Sequence, residues 1–352
     1  MNQKSNFKSN GKSNGKSNCR GTLFLTCLML ITGYLMIKQC SLAQLKAILA
    51  EADMIWLVPG FLLMVAFVGC EAAIIRSMLG CFGRKVSWRR SMSYSFAGFY
   101  FSSVTPSSTG GQPMQAFYMK RDDIPLAQSS FTLMVITSFY QLAIMFTGLI
   151  AYVCSYELLI NSGHFVKLLL IMEMGVNLLA ATALLLMVFE PSLTRRMGMT
   201  IIGFLKRVHL LKADERWRQK FCASIDEYSE GKRYLKSHPA VAVKAAVLSL
   251  VQVACLYFVP FFACKALGLA VDIRLIVIRQ ALLSLAVTAV PLPGSVGASE
   301  GVFAILYQAL ASQEMLIPLL VLSRGMSFYG FLVLSGGVVL LLNWRQTHWK
   351  PA

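Results

Sequence analysis

Three ionisable residues stand within otherwise apolar stretches of the second half of the chain: Arg279, Glu300 and Arg324. Ionisable side chains inside membrane-spanning segments are costly, and for that reason they often mark substrate or ion sites. The planar guanidinium of arginine matches a phosphodiester, and a nearby carboxylate can hold that guanidinium or receive a cationic group. The three residues therefore predict an electrostatic binding site. The alternative is a buried ion pair that only fixes the local fold.

Two stretches that contain proline and glycine interrupt the apolar sequence, TPSSTGGQP at 105–113 and PLPGSVGASEG at 291–301. Backbone polar groups without partners cost several kcal/mol in hydrocarbon, so such breaks need a reason. Helix ends at a break offer N–H and C=O groups to a ligand. We expect the breaks to form a backbone-lined wall of the same substrate site. The candidate residues are Thr105, Ser108, Gly110, Gly111, Gln112, Gly294 and Gly297.

Residues 297–301 also match G-x-S-x-G, the pattern of a hydrolase nucleophile elbow. That chemistry requires a strand-to-helix turn and a histidine later in the sequence, and only His348 follows Ser299. We therefore do not interpret Ser299 as a nucleophile. The nine cysteines include no Cys-x-x-Cys pair and have no histidine at metal-binding spacing, so the sequence predicts neither a metal site nor a cofactor.

The composition indicates which kind of fold positions these residues. The chain is 56% hydrophobic and 14% charged, with a mean hydropathy of +0.62, whereas soluble proteins have about 25% charged residues. Its net charge of +17 resides in short segments between apolar runs and includes no nucleic-acid-reading motif. The sequence therefore predicts an all-α polytopic membrane protein and argues against nucleic-acid binding.

The apolar runs predict about six full transmembrane helices and two broken hairpins. The full helices are expected at 21–37, 54–76, 126–153, 166–189, 240–267 and 315–342. The runs 91–104 and 275–290 are too short for the roughly 20 residues that cross a bilayer, and each ends at a motif. We interpret 91–119 and 275–311 as re-entrant hairpins. The remaining predicted parts are a disordered basic tail at 1–20, a basic loop at 190–238, a tail at 346–352 and a transmembrane domain over 21–345.

The distribution of basic residues orients these elements. With both termini in the cytoplasm, 25 of the 33 Lys and Arg residues fall on the cytoplasmic side and 5 on the other, as the positive-inside rule requires. The same topology makes the two hairpins enter the membrane from opposite faces. We therefore expect an inverted repeat, which is a common plan of transporters.

Other polar residues within the apolar runs have less specific interpretations. Glu71 lies toward the end of the second predicted helix, where its side chain is expected to reach the membrane interface. Glu173 and Asn177, four positions apart, predict one polar stripe that faces the interior of the helix bundle. Tyr140 and Gln141 either join that stripe or lie apart from it.

At the two motifs the sequence resembles the lysylphosphatidylglycerol synthase transmembrane region, the flippase-like domain of the bacterial multiple peptide resistance factor. The likeness in length and in the order of apolar runs covers roughly residues 20–345. The resemblance implies a multi-pass protein of the bacterial inner membrane that handles anionic or aminoacylated phospholipids such as lysylphosphatidylglycerol and contributes to resistance to cationic peptides. Many relatives carry an acid where Gln112 stands.

The resemblance leaves more than one function open. Translocation of phospholipids between leaflets is the interpretation that we favour. The enzymatic alternative is phosphatidylglycerol lysyltransferase, with lysyl-tRNA as a partner or with a separate synthase subunit. We find no segment for the soluble catalytic domain of the full resistance factor, because the chain ends at Ala352. A scaffold for envelope assembly is the third possibility, and homo-oligomerisation is open.

Overall fold

In the computed structural model, the chain is an assembly of packed helices. The structure describes residues 48, 50–155, 164–190, 195–196, 200 and 229–348, without 289, 291 and 296. No strand occurs in these ranges, which confirms the prediction of an all-α polytopic membrane protein. Several predicted parts lie outside the described residues: the first helix at 21–37, the tail at 1–20 and most of the loop at 190–238. Of the predicted tail at 346–352, residues 346–348 belong to the last helix and 349–352 lie outside the described residues.

The first structural unit consists of a long helix, a hairpin of two shorter helices and a second long helix. These are α1 (Leu57–Gly80), α2 (Trp88–Val104), a 3-10 turn (Pro106–Ser108), α3 (Gly111–Arg121) and α4 (Leu126–Cys154). The hydroxyl of Ser87 accepts a hydrogen bond from the Arg90 amide, which caps α2 at the start of the hairpin. Thr105 is extended before Pro106, the conformation that a following proline favours, and α2 ends there.

Helix α5 (His164–Phe189) leads from the first unit toward a second one of the same design. The second unit contains α6 (Pro239–Ala266), α7 (Ile273–Val287), a 3-10 turn (Pro293–Ser295), α8 (Ala298–Tyr307), α9 (Gln313–Arg324), a π-helical turn (Gly325–Tyr329) and α10 (Gly330–His348). The Asp272 carboxylate accepts a hydrogen bond from the Arg274 amide and so caps α7. Helix α5 is the one helix between the units whose bounds the described residues give.

Four stretches in the described part of the chain are long and apolar enough to cross a membrane. They are Met54–Gly80, Leu126–Cys154, Pro239–Ala266 and Gln313–Trp344. These four correspond to predicted full helices, and they are the first and last elements of each unit. Within α5, the apolar part covers Leu170–Leu186, a shorter stretch.

The contacts between helices cross from one unit to the other. Helices α1 and α6, the first of each unit, pack along each other. Helix α2 of the first hairpin packs on α10, and α7 of the second hairpin packs on α4. The two 3-10 turns, which form the hairpin tips, also contact each other. Each hairpin thus packs on the last long helix of the other unit, which is the pattern of a pseudo-two-fold relation between the units.

Close packing of aromatic and small residues holds the crossed units together. The fully buried Phe331 ring of α10 lies 4.9 Å from the Phe99 ring and 5.6 Å from the Phe96 ring, centroid to centroid, both on α2. On the other side, Gly148 of α4 leaves room for Leu285 of α7, because an added Cβ would lie 3.0 Å from that side chain. Such contacts matter more in a membrane than in water, since lipid gives helices no hydrophobic reason to associate.

Candidate functional site

Each hairpin tip contains two consecutive residues in the left-handed backbone region. In the first tip these are Ser107 (φ 49°) and Ser108 (φ 53°), and in the second they are Gly294 (φ 57°) and Ser295 (φ 52°). Both pairs follow a proline, Pro106 or Pro293. Non-glycine residues with this backbone conformation are uncommon and strained, and such residues cluster at functional sites. The two breaks therefore share an unusual backbone although their sequences share little.

The first tip is closed by its own side chains. The Thr105 hydroxyl donates to the Phe101 carbonyl oxygen at 2.6 Å and accepts from the Gly110 amide at 2.9 Å. Gly111 begins α3 so close to α2 that an added Cβ would collide with the Ser102 side chain and lie 2.8 Å from the Gly98 carbonyl oxygen. Thr105, Gly110 and Gly111, all predicted site residues, thus build the turn and do not line the cavity described below.

The second tip is closed by a carboxylate. Glu300, in the first turn of α8, accepts a hydrogen bond from the Gly297 amide at 2.5 Å and one from the Ser299 hydroxyl at 3.1 Å, both through Oε2. Gly297 has φ 89°, a conformation that side chains disfavour. A negative charge is stabilised at this place, because the amino terminus of a helix carries partial positive charge.

The other carboxylate oxygen of Glu300 binds Arg324 at the end of α9. Glu300 Oε1 lies 3.1 Å from Nε and 3.0 Å from Nη2 of the guanidinium. Nη2 also donates to the Gly294 carbonyl oxygen at 3.2 Å, and the guanidinium lies 4.7 Å from the centre of the Phe328 ring. The π-helical turn follows Arg324 directly, and such turns occur frequently at functional sites. The structure thus joins Glu300, Arg324 and Gly294, three of the predicted site residues.

A cavity of about 450 Å³ lies between the two tips. The tips contribute Ser107, Ser108 and Gln112 from the first hairpin and Gly294, Ser295 and Ser299 from the second. Arg324 also lines the cavity. Glu300 does not line it, but it accepts a hydrogen bond from the Arg324 guanidinium. Gln112 donates a hydrogen bond to the Thr137 hydroxyl of α4 at 2.5 Å, so its amide is anchored to the cavity wall. The volume falls within the range of small-molecule sites.

The cavity also contains an acid that the sequence analysis placed elsewhere. Glu71 accepts a hydrogen bond from the Gln115 side-chain amide and lines the cavity together with Gln115 and Gln252. The prediction that Glu71 reaches the membrane interface was therefore wrong. The prediction failed because α1 is longer than expected: it continues to Gly80, so Glu71 lies within the helix and not near its end. Gln115 and Gln252 also stand among apolar residues of the sequence, which indicates buried polar groups but not which of them meet.

The family of the chain follows from a comparison with known families. The family described as the lysylphosphatidylglycerol synthase TM region matches residues 21–335. This range is most of the 352-residue chain and includes every residue that lines the cavity. The chain belongs to this family. No curated protein and no solved structure matches it.

Membership in the lysylphosphatidylglycerol synthase TM family confirms the resemblance that the two motifs suggested. It identifies a multi-pass membrane protein linked to lysylphosphatidylglycerol biosynthesis or transport, with phospholipids as its substrates. In the described part of this family member, no three His, Cys, Asp or Glu side chains lie close enough together to hold a metal ion.

Arg279 occupies a different place in this family member from the other predicted charges. It is 5% exposed, on α7, and it does not line the cavity. Its Nη1 atom is buried without a hydrogen-bond partner among the described residues. Gln280, the next residue, does line the cavity and accepts a hydrogen bond from the Tyr307 hydroxyl at 3.1 Å. Adjacent residues of a helix point about 100° apart, which explains why only one of the two faces the cavity.

The predicted polar stripe of α5 lies inside the bundle. Glu173 and Asn177 are 5% and 1% exposed, and the Asn177 amide donates to the Glu173 carbonyl oxygen at 2.7 Å. Neither residue lines the cavity, whereas Tyr140 and Gln141 of α4 do. The two pairs are therefore separate features of this family member, and only Tyr140 and Gln141 belong to the cavity.

Proposed function

We propose that the protein is a phospholipid translocase that holds a lipid headgroup in the cavity between its hairpin tips. The substrates are anionic or aminoacylated phospholipids, of which lysylphosphatidylglycerol is one. The observation that carries the proposal is the meeting of two similarly strained tips at one polar cavity that contains Arg324. Broken helices that meet at a shared site are typical of transporters that work by alternating access.

The ion pair of Arg324 and Glu300 suits a site that must bind and release an anion. Glu300 balances the charge of the guanidinium, which would otherwise be costly within the membrane. A phosphodiester can form the same charge-assisted hydrogen bonds as a carboxylate and would compete for the same guanidinium. Because Glu300 is also bound by the Gly297 amide, it retains a partner when Arg324 turns to a phosphate.

The location of the site also suits a lipid. Only the headgroup needs the polar cavity, while acyl chains remain among the apolar surfaces of the long helices, where large side chains such as Leu179 and Val333 are exposed. We place the protein in the bacterial inner membrane with both termini in the cytoplasm, on the strength of the charge distribution. Basic cytoplasmic segments would then concentrate anionic lipid near the cavity.

A flipping assay in proteoliposomes tests this function. Phosphatidylglycerol and lysylphosphatidylglycerol, each labelled on an acyl chain, are followed by the loss of fluorescence when a quencher reaches only the outer leaflet. The double variant Arg324→Gln/Glu300→Gln removes the pair without leaving a lone charge. It should slow translocation about tenfold or more, as expected from the loss of hydrogen bonds to a charged group of about 1.5–3 kcal/mol.

The matched control is Arg274→Gln/Glu314→Gln, which removes the same charges from exposed positions outside the cavity. It should translocate both lipids like the wild type. Equal rates for the two double variants would remove the ion pair from the mechanism. No translocation by well-folded wild-type protein would overturn the proposed function and favour the scaffold hypothesis.

The enzymatic alternative is tested in the same vesicles. Lysyl-tRNA is added to vesicles that contain phosphatidylglycerol, and the lipids are analysed by mass spectrometry with and without the protein. Formation of lysylphosphatidylglycerol would indicate lysyltransferase activity in this chain. We expect none, and translocation as the only activity.

A further inference from the structure

The cavity has a second ionisable group, Glu71, and no salt bridge joins it to a basic side chain among the described residues. Arg324 is the one basic residue among the described side chains that line the cavity, and Glu300 binds it. Glu71 accepts a hydrogen bond from a neutral amide instead, that of Gln115 of α3, and the amide side chain of Gln252 of α6 lies next to it. A carboxylate placed within the membrane without a counter-charge is a functional candidate for that reason.

The surroundings of Glu71 contain an unpaired hydrogen-bond acceptor. Gln252 is 2% exposed and lines the cavity. Its side chain lies next to Glu71, and the NH2 group is the end of the amide that can donate to a carboxylate. The Gln252 carbonyl oxygen Oε1 is left buried and without a partner. An amide rotated by 180° would not solve the problem, because the oxygen would then face the carboxylate.

This cluster therefore has more acceptors than donors. The carboxylate of Glu71 has four lone-pair sites and the Gln252 oxygen has two, against the few N–H groups of the neighbouring glutamines. The hydroxyl of Tyr140 lies on the same wall and can donate only once. A ligand that fits here brings several donors and a positive charge.

We propose that Glu71 and Gln252 bind a primary ammonium of an amine-bearing headgroup whose phosphodiester lies at Arg324. The inference rests on the proposed function and specifies how its site reads the headgroup. An ammonium supplies three N–H donors and balances the charge of Glu71. A headgroup without an amine would leave that carboxylate uncompensated and bring its own negative charge into the same cavity. The amine belongs either to an ethanolamine headgroup or to an aminoacylated glycerol headgroup.

The test compares three acyl-labelled lipids in the proteoliposome assay: phosphatidylglycerol, phosphatidylethanolamine and lysylphosphatidylglycerol. The wild type should move at least one amine-bearing lipid faster than phosphatidylglycerol. Glu71→Gln should slow that lipid about tenfold, the range for losing a hydrogen-bonded charge partner, and should not slow phosphatidylglycerol, whose negative charge Glu71 opposes. Gln252→Met keeps the carboxylate, removes the unpaired acceptor and should have a smaller effect in the same direction.

Two controls separate recognition of the amine from damage to the protein. Glu314→Gln removes an exposed carboxylate outside the cavity and should leave all rates unchanged. An N-acetylated form of the preferred lipid keeps the headgroup but loses the charge. Wild type and Glu71→Gln should move it at the same rate. Thermal unfolding in detergent verifies that each variant is folded.

The outcomes distinguish the two possible headgroups. They also separate the proposed ammonium site from the proposed translocase function. Preference for phosphatidylethanolamine or for lysylphosphatidylglycerol identifies the headgroup. If Glu71→Gln moves all lipids in wild-type ratios while the Arg324 and Glu300 variant fails, the ammonium site is wrong and the proposed function stands. If the wild type moves nothing, lipid occupancy measured by native mass spectrometry still decides, since unchanged amine-lipid binding by Glu71→Gln would overturn the inference.

Discussion

The two hairpin tips have the same backbone turn but different chemistry. Ser107 and Ser108 in the first tip and Gly294 and Ser295 in the second adopt nearly the same φ values after a proline. Three positions after the second of these residues the following helix begins, at Gly111 in one hairpin and at Ala298 in the other. The first helical turn then carries Gln112 and Pro113 in one case and Ser299 and Glu300 in the other.

This difference indicates which features shape the cavity and which give it specificity. The turn is repeated because two breaks must meet at one place, and each needs left-handed residues to reverse the chain. The charges are not repeated. The second hairpin places its acid on the tip, where it binds Arg324 of the next long helix. The first hairpin places an amide, Gln115, which binds the acid Glu71 of the preceding long helix.

The largest predicted effect on stability comes from removing one member of the ion pair in the second hairpin. Arg324→Gln leaves Glu300, which is 18% exposed, without its counter-charge. We expect a loss of about 3 kcal/mol in the free energy of unfolding, near the lower end for broken buried pairs. Removing both members should restore most of that loss. Thermal unfolding of the single and double variants in detergent measures the difference, and equal losses would show that the pair is not coupled.

Conformation at the second tip should have the next largest effect. Gly294→Ala adds a Cβ at φ 57° that collides with the Phe328 ring. The backbone term alone is about 1–2 kcal/mol, and displacement of the ring adds to it. Gly301→Ala is the matched control, since Gly301 lies in α8 with no atom within 4 Å of an added Cβ. That control should be neutral or stabilising by about 0.5–1 kcal/mol. Equal behaviour of the two variants in thermal unfolding would contradict the assigned tip geometry.

Much of the difference between the two hairpins could be predicted from the sequence, because the features that indicate it are local in the chain. Apolar runs of more than 20 residues predicted the long helices, and the proline and glycine motifs predicted both breaks. Glu300 and Arg324 were recognised because isolated charges in apolar runs are conspicuous. The pairing of Arg279 with them was a hypothesis that depended on which face of α7 points to the cavity, and the structure turns Gln280 to that face instead.

Glu71 was misplaced for a related physical reason. Where α1 ends depends on how far the helix continues past the apolar run, and the local sequence around Arg76 suggested an earlier end. The partners of Glu71 come from α3 and α6, which are far from it in the chain. No local pattern reports such an encounter, whereas the tertiary packing of α1 on α6 produces it directly.

The smallest predicted effect concerns the first tip and has the opposite sign from the second. Ser107 has φ 49° and occupies the place that Gly294 occupies in the other tip. Ser107→Gly removes the left-handed strain of about 1–2 kcal/mol but adds flexibility to the unfolded chain, which opposes about 0.5–1 kcal/mol of it. A net gain of about 0.5–1 kcal/mol follows. Thermal unfolding detects it against Ser93→Gly in α2, where glycine should only destabilise. If translocation also slows in Ser107→Gly, the strain in the first tip serves transport, because the ion pair of the second tip is untouched.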